Sequence, residues 1–183
     1  FAASCRIPFS VAVSTICSTV QLAAASFRYG EIRVVVGTVN AGRASFADAV
    51  TDLGVFLERV PEAARALGIH VVFAPVADVN NNPDNPVINV RSFGEEPVAV
   101  GRFVAATVKG LQSGGVLATL KHFPGHGDTA TDSHRSLPVL SFDRARLAAV
   151  ELVPFRAGLD AGARSVMTAH LSVPALDATP VPV

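Results

Sequence analysis

The sequence VLATLKHFPGHGDTATDSH, residues 116–134, decides the fold of this chain. Its apolar first part, residues 116–120, follows Gly114-Gly115 and is soon followed by a Pro-Gly pair. Such a run between glycines and a turn signal predicts a buried strand. After the run come three of the five histidines of the chain, two aspartates and one lysine. We therefore expect the polar cluster at the carboxyl end of a strand, which is the edge where α/β proteins bind ligands.

The N-terminal part of the chain is only partly interpretable. Residues 9–13 form an apolar run that predicts a strand, and residues 32–36 predict another. The rest of residues 14–44 shows neither a helical nor a strand period. No structure is therefore predicted for most of that region.

A regular pattern begins near residue 48. Apolar residues recur at three- and four-residue spacing over residues 50–67, which predicts a helix. Pro61 lacks the N–H of an interior helical turn, so we expect it to kink or restart that helix. Gly68 is placed to end it. The β-branched and aromatic residues 69–74 then predict a strand, and the polar residues 78–89 predict a loop.

Two further helices and one strand complete the alternation. One helix begins at Glu95-Glu96-Pro97, with acids in its first turn and proline at its start, and ends at Gly114-Gly115. Another runs from about Asp143 to Ala161, with a kink expected at Pro154. Residues 165–169 predict the last strand.

This alternation of strands and helices predicts a parallel sheet that is covered on both faces. An open doubly wound sheet and a (β/α)8 barrel both fit, but no glycine-rich nucleotide motif follows a strand, which disfavours the first. Polar residues at several strand ends, namely Asp78, Lys121-His122 and His170, converge as they do in barrel active sites. We expect a (β/α)8 TIM barrel, present in part, as one domain over residues 1–183 that is truncated at both ends.

Composition and charge exclude several classes of protein. Half of the residues are hydrophobic and 16% are charged, so the chain can bury a core and is not disordered. Fifteen basic and fifteen acidic residues cancel, and no run of like charge indicates a nucleic-acid partner. The stretch between Arg6 and Arg28 has no charged residue, but Pro8, Gln21 and several hydroxyl side chains argue against a membrane span. A cytoplasmic location is preferred to export.

The polar cluster permits a metal site as one interpretation. Histidine and aspartate are common zinc ligands, although loop clusters of these residues are often structural hydrogen-bonding groups. The candidate ligands are His122, His126, Asp128, Asp132 and His134.

A second interpretation is acid–base chemistry by Asp132 and His134. An aspartate two residues away can accept a proton from one imidazole nitrogen and fix its tautomer, which leaves the other nitrogen to exchange a proton with substrate. The same pair could instead only hold a loop together. Lys121 and His122 could bind hydroxyl groups, or the lysine could simply be solvated at the rim of the barrel.

The motifs around this cluster resemble a known family. Lys121 to Thr129, followed by Asp132-Ser133-His134, is similar to the signature of glycoside hydrolase family 3, in its β-N-acetylglucosaminidase branch. The resemblance covers residues 53–176. Further matching segments are Phe73 to Asn80, Asn85 to Ile88, Arg91 to Pro97, Leu137 to Leu140, Pro154-Phe155 and Val166 to His170.

The resemblance implies a (β/α)8 barrel that removes terminal β-linked N-acetylglucosamine, as in cell-wall glycosides, with retention of configuration. It implies that His134 is the general acid/base and Asp132 its partner. It further implies that Arg91, Lys121 and His122 bind the sugar next to the scissile bond. The expected substrate is a carbohydrate containing N-acetylglucosamine, and no metal or cofactor is expected.

Two departures from the family pattern qualify these expectations. The family's nucleophile is an aspartate on a later strand, which lies beyond Val183. An Asp-Gln-Glu-Gly-Gly-like segment is also missing, because Ser14 to Ser18 stand in its place. A reading-frame slip over residues 14–44 or true divergence would explain that loss. We expect residues 1–183 alone to be inactive, and the alternative function is a barrel relic that binds sugar or a partner without turnover.

Overall fold

A computed structural model of the chain describes residues 20–29, 32–39, 60–62, 64–133 and 135–179, with only the backbone of the first two ranges. The strand expected at residues 9–13 lies outside the described residues. The strands are β1 Val20–Tyr29, β2 Ile32–Val39, β3 Val71–Phe73, β4 Leu117–Phe123 and β5 Ser165–Thr168. The helices are α1 Pro97–Ser113, α2 Arg144–Ala149 and α3 Leu152–Asp160, with a 3₁₀ turn at Asn89–Arg91.

The five strands form one sheet in the order β1-β2-β3-β4-β5. The pairs β2–β3, β3–β4 and β4–β5 are parallel, which confirms the predicted type of sheet over these strands. Strand β1 is antiparallel to β2, so the prediction of a purely parallel order is wrong there. No structure is predicted for residues 20–29, because their sequence lacks a helical or strand period. Backbone hydrogen bonds to β2 stabilise this strand, and such pairing between strands cannot be predicted from the local sequence.

Gly68 ends the first described helical segment, as predicted. Residues 60–62 and 64–66 are helical, and Gly68 has φ 70°, the left-handed conformation that favours glycine. The Gly68 N–H donates to the Arg65 carbonyl, and the Ile69 N–H donates to the Ala64 carbonyl. These two bonds form a Schellman motif, which satisfies carbonyl groups at the helix end. The part of the predicted helix before residue 60 lies outside the described residues.

Helix α1 begins and ends where the sequence predicts. The Glu96 carboxylate caps it by accepting hydrogen bonds from the Val98 and Ala99 N–H groups, and Pro97 occupies the first position. Gly114 ends it. Its large buried apolar side chains are those of Val100, Phe103, Val104, Val108 and Leu111.

The third predicted helix is two helices, which corrects the expectation of a kink at Pro154. Helix α2 ends at Ala149 and α3 begins at Leu152, so the break precedes the proline. Pro154 lies in the first turn of α3, where its missing N–H has no helical partner to lose. Its ring would clash with the carbonyl of Val150 in a continuous helix, and the chain departs from helical geometry at that residue.

The core lies between the sheet and helices α1 and α3. Val104, Leu120 and Phe155 belong to one cluster of buried side chains. Gly158 permits close packing of α3, because a Cβ there would lie 2.6 Å from Leu120 Cδ2. No helix within the described ranges combines the length and apolar character needed to cross a bilayer. This packing fixes the carboxyl ends of β3, β4 and β5 side by side.

Candidate active site

Asp78 is the centre of the hydrogen bonds at this edge of the sheet. It follows β3 and is 0% exposed. Its carboxylate accepts hydrogen bonds from His122 Nδ1 at 2.7 Å, from the His122 N–H at 3.2 Å and from the His126 N–H at 2.7 Å. Burial alone would raise the pKa of Asp78, but the hydrogen bonds from His122 and His126 outweigh it and hold the pKa below its usual value. Asp78 is therefore a carboxylate at neutral pH.

Lys121 and His122 lie within β4, which continues to Phe123, rather than in the loop after it. The bond between them is a cis peptide. Lys121 is 2% exposed, so the alternative of a solvated rim lysine is wrong. Burial and, to a smaller extent, the charge of Arg91 lower the pKa of Lys121, the charge of Asp78 opposes them, and the resulting pKa is about 8. The described part of the chain shows no hydrogen bond or ion pair to Lys121 Nζ.

Arg91, the last residue of the 3₁₀ turn, lies on another side of the site. Its Nη1 donates to the Val87 carbonyl at 3.1 Å, which holds the guanidinium over the polar loop. Its Nη2 lies 3.4 Å from His122 Nε2. A guanidinium can only donate, so in a hydrogen bond between these two groups the acceptor is His122 Nε2.

The loop after β4 is packed tightly against the loop after β3. A Cβ at Gly127 would collide with the carbonyl oxygen of Val79, so this approach requires glycine. His126 is buried in the same loop, and its Nδ1 lies 2.6 Å from Thr129 Oγ1. Burial lowers the pKa of His126, which favours a neutral ring. The Asn85 amide donates to the His126 carbonyl at 2.7 Å and fixes the loop.

The four candidate metal ligands that the structure describes, His122, His126, Asp128 and Asp132, do not form a metal-binding group. Arg146 Nη2 lies 3.3 Å from the Asp128 carboxylate. The His122 and His126 rings meet edge to face with their centroids 6.2 Å apart. No three His, Cys, Asp or Glu side chains among the residues described could hold a metal ion. His134, the fifth candidate, lies outside the described residues.

One cavity of about 390 Å³ contains the predicted sugar-binding residues. The polar residues that line it are Arg91, Lys121, His122, His126, Ser133, Thr168 and His170. The convergence expected for the strand ends is thus observed for Lys121-His122 and His170, with Asp78 directly behind His122. Asp132 is half-buried and adjoins Ser133, which lines the cavity. Its predicted partner, His134, is the candidate whose position is not described, so the acid–base pair stays a prediction.

Sequence reasoning missed two groups that hold this site. Asp78 was recognised only as a polar strand end, and its link to His122 spans 44 residues. Arg146 was not singled out, although its Nη2 donates to Asp128 at 3.3 Å and to the buried Glu151 at 3.0 Å. A lone arginine in a predicted helix carries no local signal of such a role.

Comparison with known proteins gives a consistent family assignment. Residues 38–183 match the model of the glycosyl hydrolase family 3 N-terminal domain. A β-hexosaminidase A from Pseudoalteromonas piscicida is 52% identical over 113 residues, which is 61% of this chain and 19% of that protein. A β-hexosaminidase from Stenotrophomonas maltophilia is 44% identical over 116 residues, which is 63% of this chain and 34% of the relative.

Comparison with solved structures supports the same family assignment. A family 3 β-N-acetylglucosaminidase from Paenibacillus sp. FPU-7 superposes with a TM-score of 0.71 at 46% identity and covers 73% of this chain and 25% of its own. NagZ from Neisseria gonorrhoeae, in complex with N-trifluoroacetyl-D-glucosamine, gives a TM-score of 0.67 at 38% identity and covers 73% of this chain and 39% of its own. The chain thus spans 19–39% of the length of these four relatives.

Proposed function

Because the chain belongs to glycoside hydrolase family 3, whose N-terminal domain residues 38–183 match, we propose that it removes terminal β-linked N-acetylglucosamine from glycosides. The substrates are glycosides of the cell-wall type, and hydrolysis retains the configuration of the sugar. The described strands would form part of a (β/α)8 barrel, and residues 1–183 would form part of a single catalytic domain. The carboxyl edge of the sheet would then hold the sugar, as in other barrels.

The observation that carries this proposal is the cavity shared by Arg91, Lys121 and His122. Its volume of about 390 Å³ lies in the range of small-molecule sites. The Lys121 ammonium is buried there without a partner in the described residues, so its three donors are available to sugar hydroxyl groups. A neutral sugar offers many hydroxyl acceptors, and charged donors strengthen such hydrogen bonds.

The proposed chemistry uses a general acid/base in place of one of the two usual carboxylates. His134 would protonate the leaving oxygen and later deprotonate water, while Asp132 fixes the imidazole tautomer. An aspartate of a later strand would trap the glycosyl group as a covalent intermediate. Residues 1–183 alone are therefore expected to bind sugar without turnover. This reaction needs no metal or cofactor.

Binding of N-trifluoroacetyl-D-glucosamine, the sugar in the NagZ complex, tests the proposal. Its fluorine signal should broaden when the 183-residue chain is added, and N-acetylglucosamine should reverse the broadening. Lys121→Met and Arg91→Met should each weaken binding roughly tenfold or more, since each removes a charged hydrogen-bond donor. The exposed Lys109→Met and Arg156→Met variants are the matched controls. Equal binding by all four variants would refute a sugar site in this cavity.

A second candidate, sugar binding without turnover in any context, is favoured by the antiparallel strand β1. A (β/α)8 barrel is built from parallel strands, so β1 cannot occupy a barrel position as it stands. Loss of turnover with retained sugar binding, in a polypeptide that carries every later strand, would support this candidate.

A further inference from the structure

Asp78 has no role in the proposed reaction, yet it is the most constrained polar group of the site. It is fully buried, and the hydrogen bonds that its carboxylate accepts within the described residues come from His122 and His126. We propose that Asp78 holds His122 in the tautomer with its proton on Nδ1. Asp78 thereby determines which groups of the sugar site donate hydrogen bonds and which group accepts them. Asp78 would then be a positioning residue, and His122 Nε2 would be the one acceptor among the donors Arg91 and Lys121.

The geometry supports each step of this inference. The Asp78 carboxylate can only accept, and it lies 2.7 Å from His122 Nδ1, so that nitrogen carries a proton. The Arg91 guanidinium can only donate, and its Nη2 lies 3.4 Å from His122 Nε2, so that nitrogen is unprotonated. The His122 N–H also donates to both Asp78 oxygens at 3.2 Å, which fixes the ring relative to the strand. Two neighbours of opposite hydrogen-bonding character thus select one tautomer.

The consequence for recognition rests on the proposed function. A sugar hydroxyl between His122 Nε2 and the cations Arg91 and Lys121 has one favourable orientation. Its oxygen accepts from a cation, and its hydrogen is donated to Nε2 in place of the 3.4 Å contact from Arg91. A fluorine atom in place of that hydroxyl can accept but cannot donate, so the site would reject it. Without Asp78, the ring could protonate at Nε2, and discrimination between hydroxyl and fluorine would fall.

Histidine ¹⁵N NMR of the 183-residue chain tests the tautomer directly. The signal of His122, identified by its loss in His122→Gln, should show a protonated Nδ1 and an unprotonated Nε2. Asp78→Asn should move both signals towards the average of two tautomers, whereas Arg91→Met should leave Nδ1 protonated. Asp84→Asn, an exposed carboxylate in the same loop, is the matched control.

A protonated Nε2 in the unaltered chain would overturn the proposal, and so would an unchanged His122 spectrum in a folded Asp78→Asn variant. Should Asp78→Asn not fold, the tautomer of the unaltered chain and of Arg91→Met decides instead. The same chain is then tested with 3-, 4- and 6-deoxyfluoro analogues of N-acetylglucosamine as competitors of N-trifluoroacetyl-D-glucosamine.

One of these analogues should bind roughly tenfold more weakly than N-acetylglucosamine, because its replaced hydroxyl is the one that donates to Nε2. That difference should shrink in Asp78→Asn. Equal binding of all three analogues would overturn the inferred polarity. Failure of every sugar to bind, with the His122 tautomer as expected, would refute the proposed function and leave the role of Asp78 in the tautomer standing.

Discussion

At the scale of single residues, burial of the Lys121 ammonium group links the sugar site to the stability of the fold. The residue is 2% exposed, and its ammonium group has no hydrogen-bond partner among the described residues. Desolvation therefore opposes its charged form, as the lowered pKa of about 8 reflects. If the residue at this position served only to stabilise the fold, an apolar side chain would be favoured.

Replacement of Lys121 by Met should therefore stabilise the chain. The fall of the Lys121 pKa from 10.5 to about 8 corresponds to a cost of up to about 3 kcal/mol at neutral pH, which the variant would not carry. The measurement is the free energy of unfolding by urea at pH 7, with the exposed Lys109→Met as control. A clear loss of stability in Lys121→Met would show that the ammonium has a stabilising partner in the fold.

The stability of the unaltered chain should also depend on pH through Lys121. Its pKa is lower in the folded state than in the unfolded state, so the unfolded chain binds more protons between about pH 8 and 10.5. The cost of burial is therefore complete below pH 8 and is relieved as pH rises from 8 to 10.5.

Comparison with Lys121→Met isolates this contribution, because the other titrating groups are common to both chains. The stability advantage of the variant should be constant below pH 8 and should shrink above it. Sugar binding by the unaltered chain should weaken over the same range, as the ammonium loses its charge. An advantage that does not change between pH 7 and 10 would contradict the lowered pKa.

The sequence predicted Arg91, Lys121 and His122 as sugar contacts through motifs that resemble a known family, and the structure places all three around one cavity. The sequence could not assign the role of Asp78, since the Asp78–His122 bond depends on the parallel pairing of β3 with β4. The burial of Lys121 was equally hidden, because a lysine next to a strand end usually reaches solvent. The role of Asp78 and the burial of Lys121 both depend on how the strands pack in the folded chain, and residue type alone does not reveal either.

At the scale of elements, Arg146 ties helix α2 to the loop after β4. Its Nη2 donates to Asp128 in the loop and to Glu151 between α2 and α3. The Glu151 side chain is 3% exposed, and its Oε2 has no partner in the described residues. The ion pair between Arg146 and Asp128 therefore fixes the loop that leads to Asp132.

Replacement of Arg146 by Met should destabilise the chain by about 3–5 kcal/mol, because it leaves the buried Glu151 carboxylate unpaired. The double variant Arg146→Met/Glu151→Gln should recover part of that loss. Urea unfolding measures both, and the exposed Arg156→Met should change the free energy of unfolding by less than about 0.5 kcal/mol. A double variant no more stable than Arg146→Met would show that the buried charge is not the cause.

Elements with strong local signals were predicted well. Strands β3, β4 and β5 and helix α1 follow from apolar runs, the Glu96-Pro97 start and the Gly114-Gly115 end. Strand β1 and the break between α2 and α3 were not predicted. The first depends on pairing with β2, and the second on a clash four residues before Pro154. Neither cause can be read from a window of sequence.

At the scale of the whole molecule, β1 and β5 are the edges of the described sheet. Strand β5 presents Val166 at 41% exposure, and the neighbouring helix α3 presents Leu159 at 51%. An edge strand beside exposed apolar side chains favours association with another chain. The 183-residue chain should therefore form oligomers or aggregates, which light scattering after gel filtration would detect.

Replacement of Val166 by Lys should reduce this association, because a charged edge strand resists pairing. Val139→Lys, which removes a valine that is 56% exposed and lies outside the edge strands, is the control. A monodisperse monomer of the unaltered chain with one cooperative thermal transition would contradict the expected association.

Turnover by a chimeric enzyme tests the proposed function most directly. In this chimera, residues 60–179 replace the matching segment of Neisseria gonorrhoeae NagZ, so that the strands before and after them come from a full-length relative. The chimera should hydrolyse N-acetyl-β-glucosaminides. His134→Ala should lower its kcat about 10²–10⁴-fold, with the greatest loss for an alkyl aglycone, whose departure needs protonation most.

Asp132→Asn should cost less, because the imidazole remains but its tautomer is no longer fixed. The exposed neighbour Arg135→Ala should leave kcat unchanged. The result that supports the proposal is turnover that His134→Ala nearly abolishes and Arg135→Ala preserves. Turnover that survives His134→Ala within twofold, or that falls further with Asp132→Asn than with His134→Ala, would contradict the assigned acid–base pair.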